Sequence, residues 1–509
     1  MAIRRTYART AAFSFFLTVV GFVINIVYGR ILADTLLESE MGIIAALVTL
    51  ASVIEGIAIF SITYTITQKT SSSLGQGDTD AAKGILVKGL IVYYAVSIPF
   101  SISLTLISLF VLETLFFTNL FMWSGLLISY IVLLLLLRSE SNAMNSMVET
   151  DKAVVFTNLR RYLSWGLSLG FLFYLMSFVG VIYGWIISVF IFVIIGSFLI
   201  AKYFKGTRLT NGLSTSTYLT FGLSIFGASV IRLIGRYFDQ LYVLALMTPE
   251  ELAQYFLVVR ITGGLYDFAV SLIAGIIAIL SMLVGISLKR MQNAHEAVLR
   301  FVLVISAPIY LAVAAFGEPL ALLFLGPRYL GSGILLSILA IASFFDLIIL
   351  LLLIGRQAAG RLRIIPITWA SLLVFKFILV TVLAVFGLIG IALSVLLSQV
   401  LLVVIVGLYL RKEISLGWFW AKLFLPMLIV IAIGLVSTFF GVDLFLAVIL
   451  SVFAVLTAVI VALRIRILPA SDINIIRSVL SPKLKWMLNI IIRIGGYPQE
   501  SVSGNNASS

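Results

Sequence analysis

The sequence is dominated by long apolar runs that are separated by short polar links. Hydrophobic residues make up 62% of its 509 residues and charged residues 11%, and its mean hydropathy is +1.20. This apolar share is far above that of soluble globular proteins. A run of about 20 apolar residues is long enough to cross a bilayer as a helix. The sequence therefore predicts an all-α polytopic membrane protein.

The apolar runs number fourteen, and basic residues concentrate in every second link between them. Such links face the cytoplasm under the positive-inside rule, which here places both termini inside. Arg138 and Lys152, for example, are assigned to the inner link after the fourth run. We expect a multi-pass protein of the plasma membrane. The runs cover residues 10–32, 41–67, 84–112, 115–138, 153–176, 178–201, 217–247, 251–286, 297–325, 331–355, 364–386, 388–410, 418–440 and 442–463.

A weak internal repeat indicates two halves of six spans each. Asp267 follows Glu55 by 212 residues, and the basic turn at Arg356 follows the one at Arg138 by 218 residues. Transporters are commonly built from such repeats, with the cargo site between the halves. The predicted regions are an N-terminal lobe at 1–208, a second pseudo-symmetric lobe at 209–412, an appended helix pair at 413–466, and a cytoplasmic amphipathic helix with a disordered tail at 467–509.

Composition and motifs exclude several classes of function. The net charge of +13 lies mostly in the links between spans, so it does not indicate nucleic-acid binding. The chain has no cysteine, and its one histidine, His295, cannot form a metal cluster by itself. No Walker-type loop and no HExxH or GxSxG motif is present, and no link is long enough for a catalytic domain. We expect no enzyme activity, no catalytic residues, no metal site and no resident cofactor.

Five ionisable residues lie within two adjacent apolar runs. Arg232, Arg236 and Asp239 share one stripe of the seventh span, and Arg260 and Asp267 share one face of the eighth. Embedded charges are costly, so they indicate a function. Arginine suits phosphate oxygens because of its planar donor fork. The alternative is charge neutralisation, in which Arg236 pairs with Asp239 and Arg232 with Asp267.

Four further charged residues are candidates on the basis of their depth. Lys376 lies near the middle of span 11 and is assigned to the cavity. Glu55, in the middle of span 2, is the candidate for coupling to H⁺ or Na⁺, or for a salt bridge across the bundle. Asp346 is a weaker candidate for coupling or charge pairing. Arg30 lies near the outer end of span 1, where it could contact substrate or anchor the helix at the interface.

Four short motifs occur in order along the chain. Each is degenerate by itself, but their order and spacing together are specific. They are Arg30-Ile31-Leu32 followed by Glu40-Met41-Gly42 and Glu55-Gly56; Arg236-Tyr237-Phe238-Asp239-Gln240; Gln254-Tyr255-Phe256 followed by Arg260-Ile261; and Leu325-Gly326-Pro327-Arg328-Tyr329.

By these motifs the chain resembles the oligosaccharide and polysaccharide flippases of the multidrug/oligosaccharidyl-lipid/polysaccharide (MOP) exporter superfamily. The resemblance covers nearly the whole chain and implies two six-helix lobes with a final helix pair. It also implies transport of a glycan on a polyprenyl phosphate or diphosphate carrier. Arg236, Asp239 and Arg260 match the family's motif positions. Gln254 stands where the family usually has glycine, a departure that affects a turn.

The sequence thus favours a flippase that moves a lipid-linked oligosaccharide from the cytoplasmic to the outer leaflet by alternating access. Its expected partners are the polyprenyl-linked glycan and membrane lipids, and we expect a monomer. A cation-coupled multidrug exporter of the same fold is the main alternative, although cationic cargo would favour an acidic cavity. A membrane glycosyltransferase would need paired external carboxylates, and the outer links are too short to build that site.

Overall fold

The computed structural model consists of helices joined by short links and contains no strand in its described part. The described residues are 2–116, 121–147, 150–273, 280, 283–284, 287–361, 363–411, 419–473, 489 and 492–496. The principal helices are α1 (Ala2–Thr35), α2 (Glu38–Ala58), α3 (Ile62–Gly75), α4 (Thr79–Phe116), α5 (Ser124–Ser146), α6 (Thr150–Leu175), α7 (Phe178–Tyr203), α8 (Thr215–Leu246), α9 (Pro249–Ser271), α10 (Leu288–Ala315), α11 (Gly317–Leu325), α12 (Ser332–Ala358), α13 (Ile364–Leu383), α14 (Gly387–Leu410), α15 (Phe419–Phe439) and α16 (Leu444–Arg464).

The helices confirm the predicted all-α polytopic membrane fold. Among the described residues, ten segments are long and apolar enough to cross a membrane, and one of them, Ile364–Leu410, contains both α13 and α14. Helices α6, α8 and α9 fall outside this set, and each carries charged residues within its length. Together these helices account for the fourteen predicted spans.

The second predicted span, 41–67, is interrupted in its last third. Phe60 and Ser61 adopt left-handed backbone angles, with φ of 48° and 54°, and separate α2 from α3. This conformation is unfavourable for residues with a side chain, so surrounding contacts must hold it. The Phe60 ring stacks on Phe226 at 5.0 Å and meets Phe100 edge-on at 4.7 Å. Packing therefore overrides the continuous apolar pattern at this point.

Two further boundaries differ from the predicted spans. Helix α5 continues eight residues beyond Arg138 to Ser146, because the segment after Arg138 contains no glycine or proline to end it. The predicted run 297–325 is divided at Phe316 into α10 and α11, and α10 starts at Leu288. Most of the predicted run beyond Ile273 lies outside the described residues.

Contacts divide the chain into two compact units, Ile31–Phe256 and the combination of Met1–Arg30 with Leu257–Ser509. In the first unit α6 packs along α7, and α8 packs against α2, α3 and α4. In the second unit α12 packs against α14 and α10, and α10 also contacts α15 and α16. The predicted lobe boundaries at residues 208 and 412 stay a prediction.

A bidentate ion pair holds the start of the C-terminal segment. Arg300 of α10 donates through Nε to Asp472 Oδ2 at 2.6 Å and through Nη2 to Oδ1 at 3.1 Å. Its Nη1 also pairs with Glu296 at 3.3 Å. Most of the amphipathic helix and disordered tail predicted at 467–509 lies outside the described residues.

Candidate functional site

The charged stripe of α8 separates into two exposed cations and one buried anion. Arg232 and Arg236 have exposed side chains, whereas Asp239 is buried, with 4% of its surface exposed. The Asp239 carboxylate accepts a hydrogen bond of 2.6 Å from the Tyr255 hydroxyl of α9. A charge-assisted bond of this length is among the stronger hydrogen bonds in proteins. Tyr255 therefore supplies a partner for Asp239 that the sequence analysis did not identify.

Glu55 of α2 lies at the level of Arg232 on the neighbouring helix α8. A Cβ atom added to Gly56 would lie 2.6 Å from Leu233 Cδ2, so the two helices approach closely at this point. Small residues permit such close approach between membrane helices. Glu55 and Arg232 each stand one residue before this contact, so they lie at the same level of the two helices. The Glu55 side chain is half-buried.

Two arginines that were not predicted to belong to the site lie near Glu55. Arg138 of α5 and Arg160 of α6 both interact electrostatically with the Glu55 carboxylate. Arg138 was assigned to an inner link, but α5 extends past it and places it within the helix. Arg160 was not singled out, although a charged pair with Arg161 in the apolar run 153–176 is itself a signal. These residues extend the cationic character of the first unit.

Arg260 is held by two side chains of α1. Its Nε and Nη2 donate to Asn25 Oδ1 at 2.8 and 2.6 Å. Its Cζ atom lies 4.8 Å from the centre of the Tyr28 ring, a cation–π distance. Asn25 and Tyr28 are three residues apart and thus share one face of α1. The guanidinium is therefore fixed in orientation. Asn25 is the only amide side chain in the run 10–32, a signal that the sequence analysis passed over.

The remaining predicted cations have different surroundings. Arg30 donates through Nη1 to the backbone carbonyl of Leu322 at 2.8 Å, in the last turns of α11. A cation at a helix C-terminus stabilises the carbonyl groups that lack partners there. Lys376 of α13 is buried, with 3% of its surface exposed. Lys376 is thus enclosed by protein, whereas Arg30 has a structural partner besides any contact with substrate.

The two acidic candidates of the second unit lie near one tyrosine. Asp267 is exposed and Asp346 is half-buried, and both interact electrostatically with Tyr310 of α10. Ser343 of α12, close to Asp346 in sequence, donates to the Thr262 carbonyl of α9 at 3.3 Å. This hydrogen bond links α9, which carries Asp267, to α12, which carries Asp346.

The predicted site residues are divided between the two units. Glu55, Arg232, Arg236 and Asp239 belong to Ile31–Phe256, and Arg30, Arg260, Asp267, Asp346 and Lys376 belong to the other unit. The single cavity predicted from the sequence stays a prediction. A search of the described residues finds no group of three histidine, cysteine, aspartate or glutamate side chains able to hold a metal ion.

Known proteins resemble this chain in fold and not in sequence. No protein-family model and no curated protein matches the sequence. The lipid II flippase MurJ in an inward closed conformation matches with a TM-score of 0.64 and 13% identity, over 88% of this chain and 98% of MurJ.

Transporters of the MATE type match comparably. An inward-facing multidrug resistance MATE family transporter of the MOP superfamily has a TM-score of 0.62 and 14% identity, over 78% of this chain and 97% of the transporter. A MOP superfamily transporter from Pyrococcus furiosus has a TM-score of 0.55 and 14% identity, over 81% and 96%. The chain therefore has the all-α membrane fold that MurJ and the MATE transporters of the MOP superfamily share.

Proposed function

We propose that the protein is a flippase for an oligosaccharide linked to a polyprenyl phosphate or diphosphate. The observation that carries the proposal is the pair of exposed arginines, Arg232 and Arg236, within a helix of a membrane-spanning fold. A guanidinium facing lipid would be costly, so we infer that both side chains face water. Buried Asp239 accepts a hydrogen bond from Tyr255, and the two exposed arginines are the groups that we assign to binding an external anion.

Arg260 supports an anionic cargo in a second way. Asn25 and Tyr28 fix its guanidinium before any ligand arrives, and a pre-oriented donor fork loses less conformational entropy on binding a phosphate. Lys376 supplies a further buried cation. In this proposal the phosphate head group is bound by four cations, Arg232, Arg236, Arg260 and Lys376. The glycan occupies a water-filled cavity, and the prenyl tail stays in lipid.

Transport would proceed by alternating access from the cytoplasmic to the outer leaflet. The two halves of the protein would rock about the head-group site, as expected for a fold with internal repeats. Glu55 is the carboxylate that we assign to coupling with H⁺ or Na⁺. Asp267 and Asp346 are assigned to charge balance in the second unit. No covalent step is involved, and we expect no enzyme activity.

The test is flipping of a fluorescent lipid-linked oligosaccharide in proteoliposomes, with and without an imposed proton or sodium gradient. We expect protein-dependent loss of label from the donor leaflet, at a rate that the coupling gradient increases. Absence of glycolipid movement would refute the proposal. Gradient independence would leave flipping intact and remove the coupling role from Glu55.

A cation-coupled multidrug exporter is the second candidate, favoured by the structural likeness to a multidrug resistance MATE transporter. Cationic drugs would be bound best by acidic and aromatic side chains. Exposed Arg232 and Arg236 would repel such cargo. Efflux of a cationic dye from the same proteoliposomes, without glycolipid movement, would establish this alternative.

A further inference from the structure

Glu55 lies among two arginines that it does not contact directly. Ser141 Oγ of α5 lies 3.5 Å from Thr157 Oγ1 of α6, and Arg138 and Arg160 stand three residues from this contact on their helices. Both arginines interact electrostatically with the Glu55 carboxylate. Among the residues that the structure describes, neither arginine forms a direct ion pair or hydrogen bond with Glu55. The group thus has two cations and one anion that are close together but unpaired. This arrangement differs from a structural salt bridge, in which the charged atoms would touch.

Arg160 carries a buried donor without an acceptor. Its Nε atom is inaccessible to solvent and has no hydrogen-bond partner in the described part of the protein. Leaving a buried donor of a charged group unsatisfied is unfavourable. An oxyanion placed between Arg138 and Arg160 would satisfy this donor and neutralise the excess charge.

The helix that carries Arg160 is anchored on its neighbour. The Arg160 backbone carbonyl accepts from Ser188 Oγ of α7 at 3.1 Å, and Ser188 Oγ accepts from Ser164 Oγ at 2.8 Å. Helices α6 and α7 are also in contact along their lengths. These contacts fix the backbone position of Arg160. A fixed backbone limits how far its guanidinium can move to find another partner.

We propose that Arg138 and Arg160 form a subsite for a phosphate group, and that Glu55 is an internal counter-ion which the phosphate replaces. In the empty protein Glu55 offsets part of the positive charge of exposed Arg138 and of Arg160, whose Nε is buried. When a phosphate enters, its charge takes over this role and is repelled by Glu55. The repulsion weakens binding and favours release. This inference rests on the proposed function only for the identity of the cargo.

Whether replacing Glu55 strengthens or weakens pyrophosphate binding distinguishes a counter-ion from a residue that only supports the fold. Calorimetric titration of inorganic pyrophosphate into the purified full-length protein would measure binding directly. We expect Glu55→Gln to tighten binding by about tenfold, because a repulsive charge is removed. Weaker or unchanged binding in Glu55→Gln would overturn the counter-ion role.

The arginines are tested in the same titration. We expect Arg160→Gln and Arg138→Gln each to weaken pyrophosphate binding by about tenfold or more. The matched control is Arg161→Gln, which removes the same charge from the adjacent position and should bind as the native protein does. Equal binding by Arg160→Gln and Arg161→Gln, or no binding by the native protein, would refute the subsite. If Arg160→Gln does not fold, Arg160→Lys replaces it in the titration. It keeps the positive charge but lacks the Nε donor, so we expect it to bind pyrophosphate more weakly than the native protein does.

A second arm separates a free phosphate from a lipid head group. The same variants in nanodiscs are titrated with a prenyl diphosphate, and flipping is measured in parallel. Equal effects with both ligands would show that the subsite binds the head group. Effects with pyrophosphate alone would overturn its role in lipid transport. Pyrophosphate binding with the expected variant pattern, but without any flipping, would refute the proposed function and retain the subsite.

Discussion

Arg260 and Arg236 are both assigned to the same task, yet their surroundings differ. Arg260 is clamped by Asn25 and Tyr28 of α1. Arg236 is exposed on α8, and the nearby carboxylate of Asp239 is buried and held by Tyr255. A clamped arginine has a fixed orientation, whereas an exposed arginine can follow a moving ligand. The comparison suggests that one cation sets geometry and the other mainly supplies charge.

The largest effect is expected when the exposed charge of α8 is removed. Arg232→Gln combined with Arg236→Gln should slow flipping by about 100-fold or more, because each charged hydrogen bond contributes roughly 1.5–3 kcal/mol. The measurement is the initial flipping rate in proteoliposomes. Arg208→Gln, in the exposed link before α8, is the control and should flip at the native rate. A near-native rate for the double variant would refute the proposed role of this stripe.

The difference between the two arginines is tested most sharply by lysine. Arg260→Lys keeps the charge but lacks the planar fork that meets Asn25, so we expect about a tenfold loss of flipping. Arg236→Lys should lose only about two- to threefold, since charge matters more than geometry at an exposed position. Flipping rates of the two variants are compared at equal protein density. Equal losses would show that the clamp has no functional consequence.

The clamp can also be altered without changing Arg260. Asn25→Ala removes the acceptor and should slow flipping by about three- to tenfold, because the guanidinium loses its orientation. Asn25→Asp should slow it further, since a direct ion pair would neutralise Arg260. The chain has no cysteine, so disulfide formation in the double variant Asn25→Cys, Arg260→Cys tests whether the two positions are close. This variant lacks Arg260 and reports proximity only. Native flipping by Asn25→Ala would contradict a positioning role.

The smallest effect on transport is expected at Tyr255. Tyr255→Phe removes the donor to the buried Asp239 carboxylate and should lower the free energy of unfolding by about 1.5–3 kcal/mol. The thermal transition of the purified protein measures this loss. Flipping at a permissive temperature should stay within about twofold of native, because Tyr255 is assigned no contact with cargo. A large loss of flipping with unchanged stability would instead place Tyr255 at the site.

The fold could be predicted from the sequence because lipid imposes one strong pattern. Apolar runs of sufficient length and alternating basic links are visible without any tertiary information. The break at Phe60 and Ser61 could not be predicted, because it depends on aromatic packing with Phe100 and Phe226. The extension of α5 past Arg138 was missed because hydropathy falls where the helix continues, and hydropathy alone does not mark helix ends.

The site could be predicted only in part. Helical periodicity predicts one stripe on α8, but it does not predict that Asp239 is buried while Arg232 and Arg236 are exposed. The partners of the embedded charges do not follow from periodicity either, since Asn25 lies 235 residues from Arg260 along the chain. Similarly, Glu55, Arg138 and Arg160 lie on three different helices, and their spacing in the sequence does not predict that they are close together. Long-range partners decide which embedded charge is exposed, clamped or buried, and sequence spacing does not reveal them.

The most direct measurement compares three cargoes in the same proteoliposomes: a glycan on polyprenyl diphosphate, the same glycan on a neutral polyprenol, and a cationic dye. Recognition through Arg232, Arg236 and Arg260 predicts rapid movement of the diphosphate lipid alone. The double variant Arg232→Gln with Arg236→Gln should abolish that preference. Equal movement of the charged and neutral lipids, or transport of the dye alone, would contradict the account.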